Sequence, residues 1–326
     1  MSEWKEYKLG EIAEIIPGFA FKSKEFGKIG ELVIKIKDIN PPYIILSAME
    51  RVDTSSYPKD KLGKYKLAKG DFVVAMTGAT IGKVGKLKTD VLAYINQRVA
   101  KIKAKNCVCN DFIYYSISTE QFQAFIRNNI DSNTAQENIS AISIGKFPIL
   151  LPPLPEQKAI AAILSSLDDK IDLLHRQNST LEKMAETLFR QWFIEEAKER
   201  EKTKIGLVLE TVLGGTPSTK KPEYWDGTIP WINSGEVNNF RILKPTKFIT
   251  ELGLAESNTK LLPIGTTVLA ITGATLGQIS LLEISTCANQ SVVGIIPNET
   301  YPKEYVFLWI KYMIDEIILN ETGGAQ

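Results

Sequence analysis

The amino-acid sequence predicts an α+β protein in which two similar mixed α/β domains are joined by a long helix suited to coiled-coil formation. Two observations support this prediction. A set of short motifs occurs twice in the same order, with a spacing of about 190–198 residues. Between the copies lies a segment with apolar residues at heptad spacing. We therefore expect domains at residues 1–152 and 203–326, with the helical segment at 153–202.

The internal repeat rests on four motifs that follow one another in both copies. They are KDIN at 37–40 and GEVN at 235–238, TGATIG at 77–82 and TGATLG at 272–277, the Asn-Gln pairs at 96–97 and 289–290, and NTAQ at 133–136 and ETGGAQ at 321–326. A shared order over so long a period indicates a duplicated domain rather than a solenoid.

Each copy contains signals for both strands and helices. The apolar runs at 72–76 and 268–271 end at the Thr-Gly of the TGATXG motif, which predicts buried strands that enter a tight turn. Residues 111–129 and 303–319 are predicted to form surface helices with aromatic and aliphatic faces. A mixed α/β composition for each domain follows.

The segment between the copies is predicted to be a long helix. It begins with the proline-rich run LPPLP at 151–155, which favours an extended lead-in because proline fixes φ and restricts the residue before it. One seam position of the heptad is taken by Leu164, Ile171, Asn178, Ala185 and Trp192, and the other by Leu167, Leu174, Leu181 and Leu188. A helix from 156 to about 195 would be on the order of 60 Å long. The polar Asn178 would fix the register of a coiled coil, and the alternative is a stripe that packs on its own domain.

Composition and charge limit the class of protein. The hydrophobic content is 44% and the charged content 24%, as in ordinary soluble proteins, and the start lacks the apolar run of a signal peptide. No run approaches the length of a membrane span, so we expect a cytoplasmic protein. Residues 1–155 carry 22 Lys and Arg against 16 Asp and Glu, a local excess of +6 that favours a polyanion.

Three features together resemble the specificity (S) subunits of type I restriction–modification enzymes. They are the run LPPLPEQKAI at 151–160 that leads into the helix, the repeated TGATXG motif followed by Asn-Gln, and the opening WKEYKLGEI at 4–12. The resemblance covers essentially the whole chain. It implies that each globular copy is a target-recognition domain for one half of a split site in double-stranded DNA, and that the helix is a spacer that docks methyltransferase (M) subunits.

The resemblance also implies that this chain is not an enzyme. The M subunits would supply S-adenosylmethionine chemistry, and a restriction (R) subunit would supply cleavage driven by ATP with Mg, so this chain would bind no cofactor and no metal. By the repeat offset a full duplication would extend to roughly residue 390, whereas the second copy stops at 326. We therefore expect a second domain truncated before a second spacer helix, and either self-association through residues 160–192 or pairing with a separately supplied fragment.

The candidate DNA contacts are basic, amide and hydroxyl side chains, because phosphate contacts position a protein and base contacts specify sequence. For phosphates these are Lys22, Lys24, Lys35, Lys37, Lys83, Lys220 and Lys221, together with the motif threonines Thr77, Thr80, Thr272 and Thr275. For base edges they are Asn96, Gln97, Arg98, Asn289 and Gln290. The alternative is structural: glycines that permit positive φ in the TGATXG turn, and Asn-Gln as a cap.

Two other functions fit parts of the sequence. Asn40-Pro41-Pro42-Tyr43 spells the tetrapeptide with which N6-adenine methyltransferases stack a flipped base, but a glycine-rich cofactor loop is not found. An interaction scaffold that binds only protein also fits duplicated domains. The remaining candidates for chemistry are expected to be structural: His175 and the pair Asp168-Asp169 as solvated flanks of the helix, and Cys107 and Cys109 as reduced thiols.

Overall fold

The computed structural model describes residues 4–47, 49–55, 57–130, 137–196 and 203–319. The chain divides into two compact units, Met1–His175 and Arg176–Gln326, which we call unit 1 and unit 2. The repeat motifs at 133–136 and 321–326 lie outside the described residues.

Unit 1 is built from sheets with short helices. Its helices are α1 (Leu9–Ile12), α2 (Lys59–Leu62), α3 (Asn110–Ile117), α4 (Glu120–Asn128), α5 (Ala141–Ile144) and the first part of α6 (Leu154–Phe189). Its strands are β1 (Lys5–Lys8), β2 (Ala13–Pro17), β3 (Phe26–Gly27), β4 (Glu31–Ile34), β5 (Ile39–Asn40), β6 (Tyr43–Ile44), β7 (Glu50–Val52), β8 (Lys66–Leu67), β9 (Phe72–Ala75), β10 (Val84–Lys86), β11 (Ala93–Ile95), β12 (Val99–Ala104) and β13 (Pro148–Leu151).

The strands of unit 1 form two main sheets. One has the order β2-β12-β9-β10-β6-β5, the other has the order β3-β7-β4-β11-β8, and β1 pairs separately with β13. The largest buried cluster covers one face of the first sheet with side chains of α3 and α4, among them Tyr114 and Phe122. Burial on this scale provides the main stabilising free energy of the unit.

The surface helix predicted at 111–129 is wrong in two respects. The segment forms two helices, because the Ser118 hydroxyl donates to the Tyr114 carbonyl oxygen at 2.8 Å and Thr119 caps the next helix by accepting from the Phe122 amide. The apolar residues of α3 are also buried in the core, including Ile113 and Tyr114. Side chains that bond back to the backbone compete with helical hydrogen bonds, which explains the break.

Unit 2 contains the end of α6, which continues as a π-helix at Arg190–Glu195, and further short elements. Its other helices are α7 (Ile205–Val208), α8 (Glu251–Ala255) and α9 (Lys303–Leu319). Its strands are β14 (Glu210–Leu213), β15 (Trp225–Ile232), β16 (Arg241–Ile242), β17 (Lys247–Ile249), β18 (Thr267–Ala270), β19 (Ile279–Leu282), β20 (Cys287–Ala288) and β21 (Val292–Ile296).

The strand orders confirm the duplication. The sheet β14-β21-β18-β19-β16 repeats the order of β2-β12-β9-β10-β6, and β17-β15-β20 repeats β7-β4-β11. The strand directions also agree, since β6 with β10 and β16 with β19 are parallel pairs. The predicted buried strands before TGATXG are β9 and β18, whose residues are all buried.

The other two helix predictions are confirmed. Helix α6 begins at Leu154, inside the proline-rich run, and α9 matches the prediction at 303–319. None of the helices in the described ranges is long and apolar enough to cross a membrane.

Candidate nucleic-acid interface

The TGATXG motif forms the same turn in both units. Gly78 and Gly82 have φ of 71° and 79°, and Gly273 and Gly277 have φ of 67° and 83°. The amide of Gly82 donates to the Ala75 carbonyl oxygen, and the equivalent bond in unit 2 has the same length, 2.9 Å. Positive φ favours glycine because it lacks a Cβ atom. The structural alternative for the glycines of this motif is therefore confirmed.

The threonines of this turn differ between the units. The hydroxyl oxygens of Thr77 and Thr80 are buried and have no hydrogen-bond partner among the described residues. Thr272 is exposed. The Thr275 hydroxyl donates to the Thr272 carbonyl oxygen at 3.3 Å. A buried hydroxyl does not reach a phosphate, so the phosphate contact predicted for Thr77 and Thr80 does not fit this structure.

The Asn-Gln pair stands at the turn that joins the two sheets of each unit. The Asn96 amide donates to the Ile34 carbonyl oxygen at 3.0 Å, and Asn289 makes the equivalent bond to Ile232. A Cβ atom on Gly18 would lie 2.1 Å from the Asn96 carbonyl oxygen. The backbone of this turn is therefore structural.

The side chains of this turn are more accessible than its backbone. Gln97, Arg98 and Gln290 are exposed, and Asn96 and Asn289 are half-buried. The side-chain oxygen of Asn289 accepts from the Ser291 amide at 3.2 Å, which stabilises the turn. Base contact thus stays a prediction for all five residues, and the three exposed ones are the most available.

An aromatic cluster with lysines at its edge lies on the second sheet of unit 1. Its rings are Phe19, Phe21, Phe26, Tyr57, Tyr65 and Tyr94. The ammonium group of Lys35 lies 3.9 Å above the Phe26 ring and 2.5 Å from the Glu50 carboxylate, which Lys37 also contacts at 3.1 Å. These bonds, first that from Lys35, lower the pKa of Glu50. Two lysines share one carboxylate, so a net positive charge remains for a phosphate.

Sequence reasoning missed two lysines of the same cluster. The ammonium groups of Lys61 and Lys64 lie 5.7 Å from the Phe19 ring centroid and 4.9 Å from that of Tyr65. Both residues are exposed. The density of lysines at 61, 64, 66 and 69 was the available signal. Lysines with accessible ammonium groups beside aromatic rings are suited to contact a nucleic-acid backbone.

The other predicted lysines of unit 1 are dispersed. Lys22 and Lys24 are exposed beside Glu25, whose pKa is lowered chiefly by the hydrogen bond from the Tyr57 hydroxyl. Lys83 instead lines a cavity next to Pro42. Of the predicted lysines of unit 1, only Lys35 and Lys37 are joined by a shared partner in this structure.

Unit 2 contains an open polar cleft with a volume of about 740 Å³. Its lining includes the predicted Lys221 and Gln290, together with Thr216, Ser218 and Asn258, which sequence reasoning missed. The Thr216 hydroxyl donates to the side-chain oxygen of Gln290. Short polar side chains around a concave surface are suited to hydrogen bonds with base edges.

A second group of contacts fixes the lysine of this cleft. The Tyr224 hydroxyl donates to Glu256, and the Lys221 ammonium group lies 3.4 Å from the same carboxylate. The pKa of Lys221 is raised, first by its contact with Tyr224 and then by Glu256, so the side chain stays charged. Lys220 beside it is exposed. Both predicted lysines of unit 2 are therefore near or in the cleft.

Helix α6 packs on unit 1 through a polar face. The Tyr43 hydroxyl donates to Asp172 at 2.9 Å, and the Tyr115 hydroxyl donates to Asp168 at 2.8 Å. Burial, together with the hydrogen bond to Asp168 and against a smaller lowering by Ser165, raises the pKa of Tyr115 to about 12. The interpretation of Asp168 and Asp169 as solvated flanks is therefore wrong for Asp168, which binds a half-buried tyrosine. Within unit 2, the ion pair of Glu186 with Lys311 at 2.6 Å has a similar role.

The apolar stripe of α6 is largely exposed. Leu167 is 55% exposed and Leu181 is 62% exposed. The remaining positions are Leu164, which is half-buried, and Ile171, Leu174, Asn178, Ala185, Leu188 and Trp192, which are exposed. This exposure does not fit the alternative in which the stripe packs on its own domain, and a helix interface along the stripe stays a prediction.

The comparison with known protein families is decisive here. The model of the type I restriction modification DNA specificity domain matches residues 1–183 and again 197–326, once over each repeat. The chain belongs to this family.

Individual relatives of this specificity family align over nearly the whole chain. The MjaIX specificity subunit of Methanocaldococcus jannaschii is 23% identical over 98% of this chain and 79% of that protein. The EcoR124I/EcoR124II specificity subunit of Escherichia coli is 24% identical over 92% of this chain and 78% of that protein. The solved S subunit from M. genitalium has a TM-score of 0.56 at 15% identity, covering 97% of this chain and 78% of that one, and this supports the fold.

Membership in the specificity family agrees with the geometry of Asn40–Tyr43. The tetrapeptide forms the hairpin of β5 and β6, where the Pro42 carbonyl oxygen accepts from the Tyr114 hydroxyl at 3.0 Å. The Lys88 ammonium group lies 4.4 Å above the Tyr43 ring, whose hydroxyl is bound to Asp172. A methyltransferase needs this aromatic ring for the flipped base, so the enzyme alternative is not supported.

Proposed function

We propose that this chain is the DNA-sequence specificity subunit of a type I restriction–modification complex, and that each unit recognises one half of a bipartite site. The observation that supports this most is a shared scaffold with different exposed groups. In unit 1 the Met76 amide donates to the Arg98 carbonyl oxygen. In unit 2 the Ile271 amide makes the equivalent bond to the Ser291 carbonyl oxygen. At this matched position one unit offers a guanidinium group and the other a hydroxyl, which suits two different half-sites.

The roles follow from charge and exposure. In unit 1 the exposed Lys61 and Lys64 would contact phosphates, and Gln97 and Arg98 would contact base edges. In unit 2 the polar cleft would receive base edges, with Gln290 as one hydrogen-bonding group. Arginine forms bidentate bonds with guanine and glutamine with adenine, so these side chains are able to discriminate bases.

The catalytic steps are assigned to partner subunits. M subunits would hold S-adenosylmethionine, an R subunit would hold ATP and Mg, and this chain would hold none of these groups. The exposed stripe of α6 would receive helices of the M subunits or of a second copy of this chain. The support is its composition, with leucine at four successive seam positions, from Leu167 to Leu188.

Methylation of DNA tests the proposal directly. Cells would express this chain with its cognate methyltransferase subunit, that subunit alone, or this chain alone, and methylated adenines would be mapped. We expect a new split motif only when both proteins are present. A palindromic split motif would indicate that unit 1 acts as a homodimer, and methylation by this chain alone would contradict the proposal.

A protein-only scaffold is distinguished by the salt dependence of DNA binding. Phosphate contacts release counterions, so the affinity of the reconstituted complex for DNA should fall steeply with salt. Replacing Lys61 and Lys64 by alanine should reduce the slope by about 2, since each phosphate contact contributes about 1. Lys158→Ala, on the exposed side of α6, is the matched control. A scaffold would show neither binding nor a change in slope.

A further inference from the structure

Glu256 brings a carboxylate to the polar cleft of unit 2. It directly follows α8 and lines the cleft together with Lys221, Tyr224 and Gln290. A carboxylate is unexpected on a surface that binds DNA, because it repels the phosphates. An ionised carboxylate only accepts hydrogen bonds. A ligand that this side chain contacts in the cleft must therefore supply a donor.

The backbone around Glu256 is held by close packing. The 3₁₀ turn Pro222–Tyr224 contacts α8, and a Cβ atom on Gly253 of α8 would lie 2.6 Å from the Tyr224 carbonyl oxygen. The Thr250 amide donates to the same carbonyl oxygen at 3.0 Å. Glu256 caps the end of α8, so its Cα atom is placed by a helix that is itself fixed against the turn.

One oxygen of the Glu256 carboxylate is anchored and the other is open. The Tyr224 hydroxyl donates to Oε2, and the Lys221 ammonium group lies 3.4 Å from the same atom. The Tyr224 residue is only 3% exposed, so this anchor comes from a side chain that is itself fixed. Among the described residues, Oε1 receives no hydrogen bond. One acceptor oxygen therefore stays available in the cleft.

Lys221 offsets the charge of this carboxylate. Hydrogen bonds, first from Tyr224 and then from Lys221, lower the pKa of Glu256, so the group is ionised at neutral pH. The side chains of Lys221 and Glu256 are 49% and 51% exposed. Ion pairs as exposed as this one contribute little to stability. Stability alone therefore does not account for the charged pair in this cleft.

We propose that Glu256 is a specificity-determining residue of unit 2 and accepts a hydrogen bond from N4 of a cytosine in the major groove. This inference rests on the proposed function, since it names a base of the half-site that unit 2 recognises. Cytosine presents only a donor there, whereas the amino group of adenine lies beside N7, an acceptor that a carboxylate repels. Thymine presents the acceptor O4 in place of the cytosine amino group. Tyr224 is the positioning residue, because it holds Oε2 and leaves Oε1 for the base.

The methylation map of cells that contain the M subunit tests this assignment. In Glu256→Gln the side chain keeps an oxygen that accepts from cytosine N4 and gains an amide that donates to thymine O4. We expect one cytosine to become either pyrimidine, in the half-site that Gln290→Ala also alters. Relaxation at an A·T pair, a change in the other half, or an unchanged split motif would overturn the proposal. Absence of any split motif with the unchanged chain would instead contradict the proposed function, and this inference with it.

Binding of the reconstituted complex to DNA duplexes separates base recognition from structure. The unchanged complex should prefer cytosine to thymine at that position by at least about tenfold, and Glu256→Gln should bring this ratio to about 1. Tyr224→Phe, which releases Oε2, should lower the ratio in part. A merely structural role would not move this ratio.

Glu223→Gln is the matched control. It makes the same change of charge on a neighbour of Tyr224 that is exposed outside the described lining of the cleft, and it should leave the ratio unchanged. Equal effects of Glu223→Gln and Glu256→Gln would overturn the proposal. A loss of stability in urea by Glu256→Gln with an unchanged ratio would do the same, because it would show that the carboxylate only supports the fold.

Discussion

Single glycines hold the joint between the two sheets of each unit. A Cβ atom on Gly18 or on Gly214 would lie 2.1 Å from the carbonyl oxygen of Asn96 or Asn289. This distance is far inside van der Waals contact, and the neighbouring atom belongs to the backbone of a turn that carries candidate base contacts. Any side chain there would displace the Asn-Gln turn.

We predict that Gly18→Ala and Gly214→Ala each destabilise their unit by about 1–3 kcal/mol, the usual cost of overpacking. The measurement is the urea midpoint followed by near-ultraviolet circular dichroism. Gly63→Ala is the control, since a Cβ atom there meets nothing within 4 Å. A loss of stability in the control as large as in the two variants would refute this role.

Tyr115 gives unit 1 a dependence on alkaline pH. Its pKa rises from an ordinary 10.0 to about 12, first by burial. A pKa raised on folding stabilises fully below pH 10 and loses that contribution as the pH rises toward 12. We predict that stability falls less between pH 9 and 11.5 in Tyr115→Phe than in the unchanged chain, as measured by urea unfolding. Equal pH dependence of the two would contradict this.

The residue scale is also where the sequence predicts least. The glycines of TGATXG follow from the motif, because a repeated tight turn needs positive φ. The burial of the Thr77 hydroxyl does not follow, because it depends on a strand more than fifty residues later in the chain. The place of Lys61 beside Phe19 does not follow for a similar reason, since that ring comes from a distant part of the chain.

At the scale of the element, α6 has two faces with different tasks. Its acidic residues Asp168 and Asp172 bind tyrosine hydroxyls of unit 1, while the leucines of its stripe from Leu167 onward remain exposed. Heptad spacing predicted the leucine stripe and the limits of the helix. It did not predict the acidic face, because tyrosine partners from other elements determine that contact.

Replacement of Leu167 and Leu174 by glutamate should remove self-association or binding of the M subunit. The free energy of unfolding should change by no more than about 0.5 kcal/mol. Both side chains are exposed, so no packing is lost in the chain itself. Ala161→Glu is the contrast, since Ala161 is 4% exposed and belongs to the core cluster. Sedimentation velocity and thermal unfolding measure the two effects. An equal loss of stability in both variants would mean that the stripe is internal packing.

The hairpin at Asn40–Tyr43 contacts helix α6 through the Tyr43 hydroxyl, and we expect it to have a structural role rather than a catalytic one. Tyr43→Phe should cost about 1 kcal/mol through the lost bond to Asp172. A double-mutant cycle with Asp172→Asn measures that coupling. Methylation by the reconstituted complex should persist in Asn40→Ala, which removes the amide that would bind the amino group of a flipped base. Its abolition at unchanged stability would revive the methyltransferase alternative.

At the scale of the whole molecule, the order of four sequence motifs was sufficient to predict a duplicated α+β protein. Strand orders and hydrogen bonds match between the units down to the turns at Asn96 and Asn289. The boundary between the two compact units falls within the α6 segment of the chain, after His175. The surfaces proposed for base contact differ between the two units more than their scaffolds do. These differences depend on loops, and the periodicity of the sequence does not predict where loops lie.

The central claim is that each unit recognises its own half-site. The most direct measurement is a methylation map of cells that contain the M subunit together with the unchanged chain, with Arg98→Ala, or with Gln290→Ala. We predict a split motif in which Arg98→Ala relaxes base preference in one half only and Gln290→Ala relaxes it in the other half only. If both substitutions alter the same half, or if neither alters the motif while stability is kept, the assignment of one half-site to each unit is contradicted.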